Sequence, residues 1–208
     1  MDIETEKQQI IKAQQDKKEF APIYAAYYPQ ILGFTIKRTN NVQVAEDITS
    51  TVFLKAMEAI KKFECTEKGI SPWLFRIAVN QISDFYRKKQ CTSLDQLMDD
   101  ENFEPSNLGD YGVEAKNLQE KIDNDAKGNW IRSELQKLPL KYQDVISLRY
   151  FEDKTIEEIC LILDKKEGTV KSLLNRGLCK LKKNFELKQA NETLQPFIKN
   201  NVILLEQS

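Results

Sequence analysis

The sequence predicts an all-α protein, two small helical domains joined by a flexible acidic linker. Three observations carry this. Apolar residues recur at spacings of three and four while period-2 runs are scarce, the mark of amphipathic helices rather than strands. Only 7 glycines and 6 prolines punctuate 208 residues. The formal net charge of −1 hides an uneven layout. Residues 1–90 carry 14 Lys/Arg against 11 Asp/Glu, residues 131–188 carry 13 against 9, and residues 91–130 carry 3 against 10. Two cationic blocks therefore flank an anionic connector. The overall charge argues against a nucleic-acid partner, but its distribution argues for one.

The elements follow in chain order. Residues 1–19 form a polar N-terminal extension with no apolar signal core, so a cytoplasmic location is expected. The first domain, 20–90, is predicted to hold helices over 17–40, broken or kinked at Pro29, over 43–62, and from Ser71 to Lys89. Ser71 supplies an N-cap there, and Pro72 takes the first helical position, where a missing N–H costs nothing. Residues 64–70 are a loop. Residues 91–128, with Asp99, Asp100, Glu101, Pro105, Gly109 and Gly112, read as the linker. The second domain, 129–188, is predicted to hold helices near 129–137, 140–151, 155–163 and 167–187. In the C-terminal extension, 189–208, Phe197, Ile198 and residues 202–205 are too apolar for a fully solvated end. They either pack back on the second block or bind a partner.

Several function classes drop out. No run approaches the roughly 20 apolar residues of a membrane span, so no stable membrane insertion is expected. The cysteines, Cys65, Cys91, Cys160 and Cys179, form no C-x-x-C pair, and the chain has no histidine. With no histidine, zinc would lack its usual mixed ligand set, and reduced thiols are expected. The commonest general base is missing, and neither a persuasive carboxylate pair nor a Gly-rich phosphate loop is present. We expect no enzyme activity, cofactor or metal.

The strongest motif lies in the second block. Thr155-Ile156-Glu157-Glu158 spells a capping box. Ile156, Ile159, Cys160 and Leu163 share one face of the helix it opens. After a short polar turn, Val170, Leu174, Gly177 and Leu181 repeat at four, three, four along the next helix. Gly177 lacks a side chain where two helices must cross closely. The opposite side carries Gly168, Thr169, Lys171, Ser172, Asn175 and Arg176, with Lys165 and Lys166 in the turn before it. This is a helix-turn-helix whose second helix suits the major groove: cations reach phosphates or guanine, Asn reads adenine, and Thr approaches a thymine methyl. An ordinary solvated amphipathic pair would share the charge, but not the box, turn and stripe together.

The helix from Ser71 offers a second surface. Leu74, Ile77, Ala78, Ile82 and Phe85 make its core face. Arg76, Asn80, Asp84 and Arg87 follow at spacings of three and four elsewhere, with Lys88 at the edge. Cations beside aromatic rings suit single-stranded DNA, charge holding the backbone while rings stack on bases. Trp73 divides evenly between that role and the core. In the preceding helix, Val44, Ile48, Val52 and Ala56 satisfy an apolar stripe. Phe53 is then left on or near a surface with Thr49, Ser50 and Thr51, beside Asp47. This is a candidate protein-docking patch, with a satellite core contact for Phe53 as the equal alternative.

These segments, in this order, resemble the extracytoplasmic-function group of the sigma-70 family of bacterial RNA polymerase sigma factors. Residues 45–53 are similar to the segment that docks on the polymerase clamp helices. Residues 72–80 and 84–87 resemble the segment that melts and reads the −10 element. Leu138-Pro139, Glu158-Ile159-Cys160 and residues 168–172 resemble the −35-reading domain. The chain departs from the usual pattern at Ser50, Cys160, Asp164, Leu173 and Gly177.

The resemblance implies a region 2 bundle at 20–90 and a region 4 helix-turn-helix at 129–188. Asp47, Ser50, Thr51 and Phe53 would dock on core RNA polymerase. Trp73, Arg76, Asn80, Asp84, Arg87 and Lys88 would serve the −10 element, and loop 64–70 would help capture an unstacked base. Lys165, Lys166, Gly168, Thr169, Lys171, Ser172, Asn175 and Arg176 would serve the −35 element. It further implies promoter DNA as a partner, an anti-sigma factor, and a chain monomeric when free or 1:1 with a partner. The acidic linker would keep the two modules from gripping one strand nonspecifically. A stand-alone helix-turn-helix regulator explains the second block equally well, but gives the Asp47–Phe53 patch and the Trp73–Lys89 face no purpose. A DNA recombinase would need a nucleophile and an arginine cluster that the sequence does not offer.

Overall fold

The computed structural model describes residues 3–95 and 133–184. Its helices are α1 (Ile3–Gln15), α2 (Ala21–Thr39), α3 (Val42–Ala59), α4 (Ser71–Asp95), α5 (Leu140–Tyr150), α6 (Ile156–Leu163) and α7 (167–184). Tight 3-10 turns occupy Lys17–Phe20 and Ile60–Lys62, and a short helical turn covers 133–136. No strand occurs among the described residues. Most of the expected linker and the whole C-terminal extension lie outside them.

Helix α1 falls in a stretch to which the apolar spacing assigns no helix before residue 17. Its core face is thin: Glu6, Ile10 and Ala13 are buried, whereas Ile3 and Ile11 face solvent. Acidic Glu4 and Glu6 in the first turn and Lys12 in the last suit the helix dipole. Helix α2 runs through Pro29 without breaking. The N–H that proline lacks would have bonded the Ala25 carbonyl one turn earlier, and both residues are exposed, so water can take that carbonyl. Two asparagines then turn the chain. Asn40 is left-handed (φ 51°) and donates its N–H to the Ile36 carbonyl, and Asn41 caps α3 by accepting from the Val44 N–H.

The buried faces are wider than the predicted stripes. In α3, Ala45, Thr49 and Phe53 join Ile48, Val52 and Ala56. In α4, Phe75 and Val79 are buried with Leu74, Ala78 and Ile82, while Ile77 and Phe85 are half-buried. The cause is that α4 packs on α2 and α3 and also on α6. Phe75 meets Phe34 edge-on at 5.2 Å. Ser71, expected as a cap, begins the helix itself, and its hydroxyl accepts from Lys154 Nζ at 2.9 Å. In the second block, Val145, Ile146 and Leu148 of α5 pack in the core with Ile159, Ile162 and Val170.

The two blocks do not stand apart. Most of their buried apolar residues form one connected cluster, with Leu32, Ile36 and Ala45 in a second, and polar contacts lace the seam. Arg38, at the end of α2, is 1% exposed and donates to Gln143 Oε1 (3.0 Å) and Asp144 Oδ1 (2.7 Å) of α5. Tyr86 of α4 donates to the Arg38 carbonyl. Lys37 pairs with Glu152 at 2.8 Å, and Lys154 lies 4.6 Å over the Phe75 ring.

Candidate nucleic-acid interface

The helix-turn-helix is built as its sequence requires. The Thr155 hydroxyl accepts from the Glu158 N–H, and Glu158 accepts from the Thr155 N–H, so two orphan donors at the start of α6 are satisfied. Asp164 ends α6 in the left-handed region (φ 52°), its N–H bonded to the Cys160 carbonyl. Val170, Leu174 and Gly177 of α7 are buried, and Leu181 is half-buried. A Cβ at Gly177 would meet Ile146 Cδ1 at 2.8 Å and Tyr142 Cβ at 3.3 Å, so helix α5 crosses close there and any side chain would have to move Ile146 aside. The far side is open: Lys165, Lys166, Gly168, Thr169, Lys171, Asn175 and Arg176 are exposed, and Ser172 is half-buried. Lys171 pairs with Glu167 one turn back at 2.5 Å, and that hydrogen bond holds its ammonium above the ordinary lysine range.

The α4 surface is more compromised. Trp73 is half-buried and stacks obliquely on Phe63, ring centres 4.7 Å apart. With Arg76, Gly69 and Lys62 these rings line a cleft of about 310 Å³. Arg76, expected to be available to DNA, instead donates through Nε (3.0 Å) and Nη2 to the Leu161 carbonyl of α6, with Asp164 at 3.9 Å. Leu161 also lines the cleft. The reason lies in the C-terminus of α6: its carbonyls lack intrahelical partners and carry partial negative charge, which a guanidinium satisfies. Asn80 is exposed, Asp84 pairs with Arg87 at 2.8 Å, and Arg87 and Lys88 reach solvent.

The expected docking patch needs two corrections, the first being that Thr49 is fully buried. Phe53 is not on the surface but 4% exposed, its ring 4.9 Å from Tyr24 and 6.0 Å from Tyr28. The two tyrosines of α2 reach across and cover it, so the exposed aromatic of that face is Tyr24. Asp47 and Ser50 are exposed, and the half-buried Thr51 donates its hydroxyl to the Asp47 carbonyl.

Two features escape the sequence pattern. The buried seam pair Arg38–Asp144 is one: a Lys-Arg pair closing a helix ordinarily reads as solvated dipole complement. Burial pushes the Asp144 carboxyl upward, with the Arg38 guanidinium pulling against it. The other is the anchoring of the loop after α3. Gln14 Nε2 donates to the carbonyls of Ile60 (3.2 Å) and Phe63 (2.7 Å), and the buried Glu6 accepts from the Ile70 N–H and the Tyr27 hydroxyl.

Comparison with known proteins matches both blocks. Residues 23–92 match the family described as Sigma-70 region 2, and residues 128–181 that described as Sigma-70, region 4. The chain is 33% identical over 171 residues to the ECF RNA polymerase sigma factor SigW of Bacillus subtilis (strain 168), covering 81% of this chain and 89% of SigW. It is 27% identical over 172 residues to RNA polymerase sigma factor YlaC of the same organism, covering 83% and 95%. Among solved structures, CnrH in complex with the cytosolic domain of CnrY superposes with a TM-score of 0.61 at 17% identity, covering 86% of this chain and 96% of that one. RpoE of Bartonella quintana in complex with the anti-sigma factor NepR gives 0.58 at 20% identity, covering 81% and 98%. These two likenesses establish the fold.

Proposed function

Because the chain belongs to the extracytoplasmic-function group of the sigma-70 family of RNA polymerase sigma factors, we propose that its two helical units divide a promoter between them. The protein is a sigma factor, not an enzyme: it directs core RNA polymerase to promoter DNA. In our reading residues 129–188 take the −35 element. Helix α7 enters the major groove, Lys165, Lys166, Lys171 and Arg176 holding phosphates or guanine, and Gly168, Thr169, Ser172 and Asn175 lying against backbone and base edges. Residues 20–90 take the −10 element. The Phe63–Trp73 cleft receives an unstacked base, and Arg76, Asn80, Arg87 and Lys88 hold the strand, with Asp84 orienting Arg87. Asp47, Ser50 and Thr51 dock on polymerase beside Tyr24, with Phe53 supporting that ring from behind.

Arg76 cannot serve DNA while it holds the Leu161 carbonyl at the edge of the cleft, so in this reading promoter engagement requires the two units to part. The folded-over chain is the resting form. CnrH and RpoE were each solved with a bound partner, and we extend an anti-sigma factor to this chain as the partner that keeps it from polymerase. It works in the cytoplasm alongside polymerase and DNA. No helix among the described residues is long and apolar enough to cross a membrane.

The observation carrying this reading is the polar-cationic side of α7, exposed opposite the buried Val170–Leu174–Gly177 stripe. Run-off transcription with reconstituted holoenzyme tests it. Lys171→Ala and Arg176→Ala should each weaken −35-dependent initiation and lower the salt slope of promoter binding by roughly 0.9 per lost phosphate contact. If both initiate normally at native promoters, the face is misassigned.

A further inference from the structure

Helix α1 precedes the region 2 match, which begins at residue 23, and its buried face carries groups a plain packing helix would not. Glu6 is 4% exposed, and its partners among the described residues are a backbone amide and a phenol rather than a cation. Its two oxygens accept from the backbone N–H of Ile70 and from the Tyr27 hydroxyl. Eight residues on, the half-buried Gln14 donates to the carbonyls of Ile60 and Phe63. At 1.5 Å per residue these anchors are about 12 Å apart along one side of α1. They hold the two ends of the segment that links α3 to α4. Burying a carboxylate is costly unless it is hydrogen-bonded, so Glu6 fixes the Ile70 backbone rather than resting against it.

The segment so held walls the cleft. Phe63 and Gly69 line it with Trp73 and Arg76. Gly69 is left-handed (φ 69°), and a Cβ there would collide with Glu6 Oε1. The loop thus passes against α1 with no room to spare, in a backbone shape that does not hold itself. The Tyr27 phenol, raised far above its ordinary range by burial and then by Glu6, stays protonated and keeps donating.

We propose that Glu6 and Gln14 are positioning residues for −10 recognition, with α1 serving as a brace that fixes the loop between Phe63 and Ile70 in the shape that selects the unstacked base. This rests on the assignment of the Phe63–Trp73 cleft to the −10 element. Neither residue touches DNA; they act through Phe63, Gly69 and Ile70.

The test uses full-length protein in holoenzyme, measuring open-complex formation on the native promoter and on promoters with single −10 non-template substitutions. The readout is the native-to-substituted ratio. Glu6→Ala should lower that ratio about tenfold, the low end of what one wrong base costs a specific site, and Gln14→Ala should lower it less. Glu6→Gln, which keeps an acceptor for Ile70 and gains a donor for the Tyr27 oxygen, should restore it. Affinity for core polymerase and for a duplex with only the −35 element should match wild type. An unchanged ratio in the alanine variants overturns the inference. So does a loss that Glu6→Gln shares in full, or one that tracks a loss of core affinity. If Glu6→Ala does not fold, Gln14→Ala decides alone. Trp73→Ala separates the two levels. If it loses discrimination while the α1 variants keep it, only the brace fails. If it too keeps discrimination, the cleft is not the base site and both readings fall.

Discussion

Asp144→Ala should open the folded-over chain. The side chain lies in the seam between the units, 2.7 Å from a guanidinium that is 1% exposed. Removing one partner of a buried pair costs about 3–5 kcal/mol, because the remaining charge is stranded away from water. Gln143 Oε1 still accepts from Arg38 at 3.0 Å, which places the loss at the low end. Once the units separate, Arg38 is solvated and the penalty vanishes. The whole cost therefore falls on the closed arrangement, and about 3 kcal/mol corresponds to roughly a hundredfold shift toward the open form. Small-angle X-ray scattering on the free full-length chain would show it as a larger radius of gyration in Asp144→Ala than in wild type. Thermal unfolding of the variant provides the folding control. A variant that stays folded and as compact as wild type would refute the argument that this pair closes the seam.

Two further predictions concern the same framework. Burial raises the Asp144 and Glu152 carboxyls above their ordinary 3.8 and 4.5, against the opposing pull of Arg38 and Lys37. Carboxyls raised in the closed arrangement bind more protons there than in the open one. The free energy of opening therefore grows as pH falls from above the raised values toward the ordinary ones. Acidification into that window should leave the chain as compact as at pH 7 or more so, and an expansion seen by scattering would count against this. At Gly177, alanine gains about 0.5–1 kcal/mol of helix propensity. It also pushes on Ile146 Cδ1, the far end of a side chain that can turn aside. Gly177→Ala should therefore stay within about 1 kcal/mol of wild type in chemical denaturation. Gly177→Leu should lose about 1–3 kcal/mol or more through overpacking. A leucine variant as stable as wild type would mean the α5–α7 crossing is looser than described.

The helix-turn-helix was legible because its signals are local. Thr155 and Glu158 are three residues apart in one helix turn, and Val170, Leu174 and Gly177 fall at fixed helical spacings, so neither needs a tertiary partner to be read. Phe53 shows the opposite case. Its stripe was satisfied without it, and only the rings of Tyr24 and Tyr28, arriving from another helix, make it core. Phe75 and Val79 are likewise buried where α4 has neighbours on two sides, which single-helix periodicity cannot convey. Glu6 and Arg38 were hidden for a different reason. An ionisable residue on an amphipathic helix ordinarily reads as solvated, and their partners Ile70 and Asp144 lie 64 and 106 positions away. The Arg76 contact with Leu161 depends on how one unit sits on the other, information no local pattern holds.

The placement of Leu161 imposes an order on events. Leu161 lines the cleft while the cationic side of α7 stays exposed, so on the proposed assignment the closed molecule already presents one of its two DNA grips. On that assignment −35 capture would precede release of Arg76 from the Leu161 carbonyl. On the same assignment, the −10 strand would compete for a guanidinium held by a carbonyl of its own chain. Proofreading would reside in that exchange, since a poor downstream base competes badly with the internal ligand it must evict.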